Sequence, residues 1–169
     1  MKSKTKFSKK LLPTLNGTGQ GYFTQPTISN KQIIFVCEND LWQVPLEGGR
    51  AQRLTSSRSE THSPVYSPNG QWIACCTMEE GEHDVYLMES SGGPLQRLTW
   101  LNSVTHIVSW SHDGQYIWFR STYQAVHSRG SDAWIFRVSI NGGPVERLPY
   151  GPAMTVDLQG NGKKGVVLG

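Results

Sequence analysis

The sequence predicts an all-β fold: an incomplete β-propeller of about three four-stranded antiparallel blades and the start of a fourth. The first observation is an internal repeat, because Asp40 recurs 44 residues later as Asp84, and Arg53-Leu54-Thr55 recurs at the same distance as Arg97-Leu98-Thr99. The second is composition, since 18 Gly and 9 Pro among 169 residues suit a chain rich in turns. A period in the forties with several strand-like runs per copy is typical of propeller blades, which have a hydrophobic core only when neighbours stack.

The middle copy, residues 62–99, contains all the parts of one blade. Its first run ends at Ser67-Pro68-Asn69-Gly70, a turn in which Pro presets φ and Gly accepts positive φ. Trp72–Thr77 and Asp84–Met88 are nearly continuous apolar runs, which predicts two strands buried between adjacent blades. Leu95–Thr99 alternates apolar with polar residues, which predicts an outer edge strand with one wet face.

The other copies follow the same order. The first, residues 25–55, predicts strands at 33–37, 40–44 and 51–55, and the third, residues 106–148, predicts an inner pair at 116–120 and 134–139. A partial fourth blade, residues 152–169, predicts one strand over 155–158 and a second from Val166. Four aromatic residues are expected in the faces between blades: Trp72, Trp118, Phe119 and Trp134.

Residues 1–20 are expected to form a basic, disordered tail outside the propeller of residues 21–169. Five of the 16 basic residues of the chain lie in the first ten positions, and the rest of the chain has 11 basic against 13 acidic residues. A basic face for nucleic acid is therefore not expected. Leu11 and Leu12 are followed at once by Pro13, so the sequence predicts no secretory signal. A run of about 18 apolar residues is absent, so it predicts no membrane span either. A cytoplasmic location is therefore expected.

Several patterns resemble chemical motifs without their structural context. Gly160–Gly165 has the letters of a dinucleotide-binding loop, but the strand-like Val166-Val167-Leu168 follows it where that motif requires a helix, so a hairpin turn is expected. Three cysteines are odd in number and lie in predicted buried strands, which indicates packing and neither a disulfide nor a metal site. They are Cys37, Cys75 and Cys76.

Histidine and aspartate also predict structure rather than catalysis. The five histidines, His62, His83, His106, His112 and His127, contain no pair with metal-ligand spacing. His62 and His106 each open a blade, so they are expected to be hydrogen-bonded loop residues. Asp40, Asp84 and Asp132 begin the third strand of each blade, which predicts a repeated turn or a bridge between blades. A Gly-x-Ser-x-Gly nucleophile motif is absent as well, so the sequence predicts no catalytic, cofactor-binding or metal-binding residue and no peptide hydrolysis by this chain alone.

One known family is similar in sequence. The segment from Gln32 to Trp42, followed by Val44–Gly49 and Arg53-Leu54-Thr55, resembles the first blade of tricorn proteases and their bacterial homologues. Leu148–Ala153 resembles the passage from the third to the fourth blade in that family. The resemblance covers residues 21–169.

This resemblance implies a function that the chain alone does not complete. Tricorn proteases are large cytosolic serine peptidases with a six-bladed propeller, and the catalytic residues of the family lie beyond Gly169. The chain would therefore be the N-terminal part of that propeller, with a role in peptide passage or filtering and in assembly. Its implied partners are peptides and the remaining half of the propeller, or a second copy of itself. The alternatives are a stand-alone TolB-like propeller module for protein interaction and a prolyl-oligopeptidase-like gate.

Overall fold

The structure is a computed structural model that describes residues 22–29, 31–56, 59–79, 81–125, 133–158 and 165–168. Over these residues every regular element is a β-strand. The strands form three four-stranded antiparallel sheets and one two-stranded hairpin, arranged in chain order without closing into a ring. The predicted all-β, incomplete propeller is confirmed.

Each blade consists of four consecutive strands, and the hairpin follows the third blade. Blade 1 contains β1 (Thr24–Ser29), β2 (Gln32–Cys37), β3 (Asp40–Pro45) and β4 (Gln52–Arg53). Blade 2 contains β5 (Thr61–Tyr66), β6 (Trp72–Thr77), β7 (Asp84–Glu89) and β8 (Gln96–Arg97). Blade 3 contains β9 (Thr105–Trp110), β10 (Tyr116–Ser121), β11 (Trp134–Ser139) and β12 (Glu146–Pro152), and the hairpin contains β13 (Thr155–Leu158) and β14 (Gly165–Leu168).

The core lies between the sheets, because alternate residues of each strand face opposite neighbours. Ile34 and Leu41 of blade 1 pack on Ile73 and Met88 of blade 2. The other face of blade 2 packs on blade 3 through residues that include Phe119. A smaller cluster joins blade 3 to the segment that leads into and includes the hairpin, through Trp118, Ile135, Ala153 and Val156. The predicted strand Asp84–Met88 is buried along its length, as expected of a strand between blades.

The turn that opens the second strand has the same hydrogen bonds in blades 2 and 3. In blade 2 the Trp72 amide donates to Ser67 Oγ at 2.9 Å, and Ser67 Oγ donates to Asn69 Oδ1 at 2.7 Å. In blade 3 the Tyr116 amide donates to Ser111 Oγ at 2.9 Å, and Ser111 Oγ donates to Asp113 Oδ1 at 2.6 Å. The Gly that follows has a φ of 69° in both copies, which a side chain would strain.

The outer strands differ from their predicted lengths. The fourth strands of blades 1 and 2 have two residues each, whereas longer strands were predicted over 51–55 and Leu95–Thr99. Leu98 and Thr99 lie beyond β8 but are each 1% exposed, because the Leu98 amide donates to the Val85 carbonyl and Thr99 Oγ1 donates to Asp84 on β7. β12 continues beyond Leu148, where the third copy was expected to end, and Pro152 pairs with Trp134 inside blade 3 instead of opening the partial fourth blade. Proline fits an outer strand since such a strand has an unpaired edge.

Three of the four aromatic residues predicted between blades lie between blades 2 and 3, and Trp118 lies between blade 3 and the hairpin segment. Phe119 is fully buried between blades 2 and 3, and Trp118 is buried on the opposite face of the same strand. Trp72 and Trp134 are only partly buried and cover the edge of the core between blades 2 and 3.

Candidate functional site

A buried carboxylate joins the third strand of blade 2 to its outer edge. Asp84 accepts hydrogen bonds from Thr99 Oγ1 at 2.6 Å, from the Leu101 amide at 2.8 Å and from Arg97 Nη2 at 2.7 Å. Thr99 Oγ1 in turn accepts the Val85 amide at 2.9 Å. The cluster therefore satisfies several buried polar groups of the outer edge at once.

Blade 1 repeats this cluster. Asp40 accepts from Thr55 Oγ1 at 2.6 Å and is bonded to the Arg53 guanidinium, and Thr55 Oγ1 accepts the Leu41 amide at 2.9 Å. The prediction that these aspartates have a repeated structural role is confirmed, but the bonds to Arg and Thr lie within a blade and do not bridge two blades. The third aspartate of the series, Asp132, lies outside the described residues.

The first strands of the three blades, β1, β5 and β9, lie side by side and are called here the inner strands. A chain of hydrogen bonds crosses them. The Ser63 amide on β5 donates to Gln25 Oε1 on β1, and Ser63 Oγ lies 3.3 Å from His106 Nδ1 on β9. Ser63 Oγ also lies 2.9 Å from Nδ1 of its neighbour His62. Ser63 adopts this position at an irregularity in β5, with a φ of 52°.

Three imidazole rings meet beside this chain and are called here the histidine cluster: His62, His83 and His106. The ring centroids of His62 and His83 are 4.4 Å apart, and those of His62 and His106 are 4.9 Å apart. Among the residues that the structure describes, His62 Nε2 and both ring nitrogens of His83 are buried without a hydrogen-bond partner. The prediction that His62 and His106 are loop residues is wrong, since both lie on inner strands, although both are hydrogen-bonded as expected.

The surroundings of His62 and His106 favour their neutral forms. Burial, followed by the nearby His83, His106 and Arg120, lowers the pKa of His62 from 6.5 to about 3. Burial, followed by the charges of Arg120 and His83, lowers the pKa of His106 from 6.5 to about 4. Within the described residues, no group of three or more His, Cys, Asp or Glu side chains is placed to hold a metal ion.

The cysteines fit the predicted packing role. All three are buried and unpaired. Burial, with a smaller contribution from Glu79, raises the pKa of Cys75 to about 12, and burial also raises the pKa of Cys76. The thiols of Cys75 and Cys76 therefore stay protonated, which is unsuitable for a nucleophile or a metal ligand. His127 and most of the predicted turn Gly160–Gly165 lie outside the described residues.

One face of blade 1 has no neighbouring blade over the described residues, and it is called here the free face. It consists of alternate residues of β2 and β3 whose pairs are Ile33 with Val44 and Phe35 with Trp42. All four are partly exposed. The same positions in blade 2 are Ile73, Cys75, Tyr86 and Met88, which are at most 3% exposed.

The fold and its repeated Asp and Thr bonds define a β-propeller protein built from blades of one type. The chain belongs to the family described as the tricorn protease N-terminal beta propeller domain, whose family model matches residues 20–168. Tricorn protease homolog 1 of Streptomyces coelicolor is 34% identical over 131 residues, which are 78% of this chain and 12% of that protein. A protein of Sulfurisphaera tokodaii that is described as a tricorn-like protease N-terminal subunit is 25% identical over 84% of this chain and 73% of its own length.

Solved structures agree in fold. The crystal structure of the tricorn protease superposes with a TM-score of 0.75 at 24% identity, over 87% of this chain and 15% of that one. TolB from Acinetobacter baumannii gives a TM-score of 0.68 at 21% identity, over 87% of this chain and 37% of that one. The present chain thus spans a small part of the full-length tricorn proteins.

No helix in the described part of the chain is long and apolar enough to cross a membrane.

Sequence reasoning missed the histidine cluster and the hydrogen bonds across the inner strands. One signal was available, because His62 and His106 are 44 residues apart and therefore occupy the same register in neighbouring blades. His83 comes from a turn outside that register, so its position beside the other two required the structure.

Proposed function

We propose that this chain is the N-terminal part of the six-bladed propeller of a tricorn-like cytoplasmic serine peptidase. In this proposal it contributes no catalytic residue and helps to assemble the propeller through which peptide substrates pass or are filtered. The family match over residues 20–168 carries the proposal. The share of the full-length relative that the chain covers, 12%, agrees with a role as one part of a larger machine.

The free face of blade 1 supports the assembly part of the proposal. Its side chains are aliphatic and aromatic, and equivalent side chains in blade 2 are buried by a neighbouring blade. Covering apolar surface is worth roughly 25 cal/mol for each Å². A further blade from the remainder of the propeller would cover this face in the way that blade 1 covers blade 2.

Reconstitution tests the proposal. The chain is mixed with a polypeptide that carries the remainder of a tricorn-like protease, and hydrolysis of short peptides is measured. We expect the mixture to hydrolyse peptides faster than the remainder alone, and the chain by itself to be inactive. Phe35→Asp, which places a charge on the free face, is expected to abolish the gain, whereas Val104→Asp, at an exposed position in the connection between blades 2 and 3, is expected to retain it.

Two results would contradict the proposal. The first is peptide hydrolysis by the chain alone that is lost on changing one of its own serines. The second is a companion polypeptide that reaches full activity without the chain, which would favour a stand-alone TolB-like module for protein interaction.

A further inference from the structure

The histidine cluster joins two blades at a point where their inner strands meet. His62 lies on β5 of blade 2, His83 lies in the turn after β6 of the same blade, and His106 lies on β9 of blade 3. Ser63 Oγ lies between Nδ1 of His62 and Nδ1 of His106, at 2.9 and 3.3 Å. The contact between the blades at this point is therefore made by titratable side chains.

We propose that the histidine cluster is an acid-sensitive latch, which holds the inner strands of blades 2 and 3 together while its rings are neutral and releases them when the rings are protonated. The proposal rests on the placement of the three rings and does not depend on the proposed function.

Neutral rings satisfy the hydrogen bonds at Ser63. A hydroxyl has one hydrogen to donate and can also accept, so Ser63 Oγ can donate to the Nδ1 of one ring while the Nδ1–H of the other ring donates to it. This arrangement requires different tautomers at His62 and His106. It links the two strands without any charge in a site where His62 is 3% exposed.

Protonated rings would place like charges against one another. Two of the three ring pairs have centroids less than 5 Å apart, and the third pair, His83 and His106, is 6.4 Å apart. Arg120 on β10 adds a further positive charge that acts on both His62 and His106. Repulsion between such charges is strong where burial excludes water.

The strands β1, β6 and β9, which pack around β5, carry no carboxylate that could neutralise a protonated His62. Cys76 is paired opposite His62 on β6, and Gln25, the residue of β1 that bonds to Ser63, is uncharged. Asp40 on β3 is bonded to Arg53, and Asp84 on β7 is bonded to Arg97. Glu60, Glu79 and Glu82 lie in the loops beside His62 and His83, but all three are exposed, and the charges that act on His62 and His106 come from His83, His106 and Arg120. The charged groups that act on the histidine cluster are therefore cationic.

The sign of the pH effect follows from the two lowered pKa values. A histidine with an unfolded pKa of 6.5 and a folded pKa of about 3 or about 4 is neutral in the folded chain at pH values where the unfolded chain is protonated. The free energy of unfolding is therefore highest above pH 6.5, and it decreases as the pH falls from 6.5 toward the folded pKa. For His62 alone, the unfolding equilibrium constant should rise about 30-fold between pH 7.5 and pH 5.0.

The test compares one substitution at two histidines. Urea unfolding of the full chain is measured at pH 7.5 and pH 5.0 for the wild type, for His62→Gln and for His112→Gln, which changes an exposed histidine outside the histidine cluster. We expect the wild type and His112→Gln to show the same rise in the unfolding constant, and His62→Gln to show a rise about 30-fold smaller. Equal rises in all three proteins would overturn the proposal.

Two measurements on the wild type cover the case in which His62→Gln does not fold. NMR titration of the histidine ring protons is expected to place the midpoint of one histidine below pH 5, and titration of every ring near 6.5 would contradict the latch. Amide hydrogen exchange, corrected for the intrinsic effect of pH, is expected to lose protection in β5 and β9 before β7 as the pH falls. A uniform loss over all strands would show global unfolding without a latch.

Discussion

Asp84 is the residue on which the outer edge of blade 2 depends most directly. It is fully buried, and it accepts a hydroxyl, a backbone amide and a guanidinium. A buried carboxylate is tolerated only when its oxygens are paired in this way. Asp40 has the same role in blade 1, which explains why both aspartates keep the 44-residue period while the residues around them vary.

Replacing Asp84 by Asn should therefore be costly although the two side chains have the same shape. The amide removes the charge and one acceptor, so Arg97 loses its charged partner inside the blade. We expect a loss of about 3 kcal/mol in the free energy of unfolding, measured by urea denaturation. Asp113→Asn, in an exposed turn, is the control and should cost far less; an equal loss in both variants would contradict the role of Asp84.

At the scale of strands and turns, the Gly that closes the turn before the second strand fixes where that strand begins. Gly114 has a φ of 69°, and a methyl group added there would meet only Pro68 at 3.7 Å. A side chain at position 114 would therefore not clash with its surroundings. It would lower the stability of the chain because a positive φ is unfavourable for residues other than Gly. Gly114→Ala should destabilise the chain by about 1 kcal/mol in urea unfolding, whereas Gly114→Asn should be milder because Asn tolerates positive φ. The opposite order would contradict this explanation.

Ile33 and Ile73 form a matched pair at the scale of blade faces. They occupy the same position in blades 1 and 2, but Ile73 is fully buried and Ile33 lies on the free face. In the chain alone, Ile73→Ala should cost roughly 2 to 5 kcal/mol and Ile33→Ala about 1 kcal/mol or less, by urea unfolding. When the companion polypeptide is bound, the cost of Ile33→Ala should approach that of Ile73→Ala. A cost that does not change on binding would place the companion elsewhere.

The elements were predictable from sequence where local chemistry and the repeat agree. Trp72–Thr77 and Trp134–Ser139 were predicted with the observed bounds, since each has apolar, β-branched residues between clear turns. The outer strands were less predictable, because they depend on side-chain bonds such as that of Thr99 to Asp84 and less on a local pattern. The third copy was expected to end at residue 148, whereas its outer strand β12 continues to Pro152, since an outer strand accepts proline at its unpaired edge.

At the scale of the whole molecule, the order of the blades was predictable and the contacts across the inner strands were not. A fixed period implies that consecutive blades stack in chain order, which is sufficient to predict which blades are neighbours. The bond from Ser63 to Gln25 depends on local irregularities in β1 and β5, which no sequence pattern indicates. The histidine cluster depends on the same irregularity, because it turns Ser63 toward His106.

The free face of blade 1 is the surface that we propose a further blade covers. Sedimentation velocity of the chain over the micromolar range, with and without the companion polypeptide, measures whether this face associates. We expect concentration-dependent self-association of the chain alone, which Phe35→Asp reduces and Val104→Asp does not, and one defined complex when the companion is present. A chain that stays monomeric at every concentration and melts in a sharp, cooperative transition would contradict this proposal. It would show that the free face can remain exposed to water without a partner.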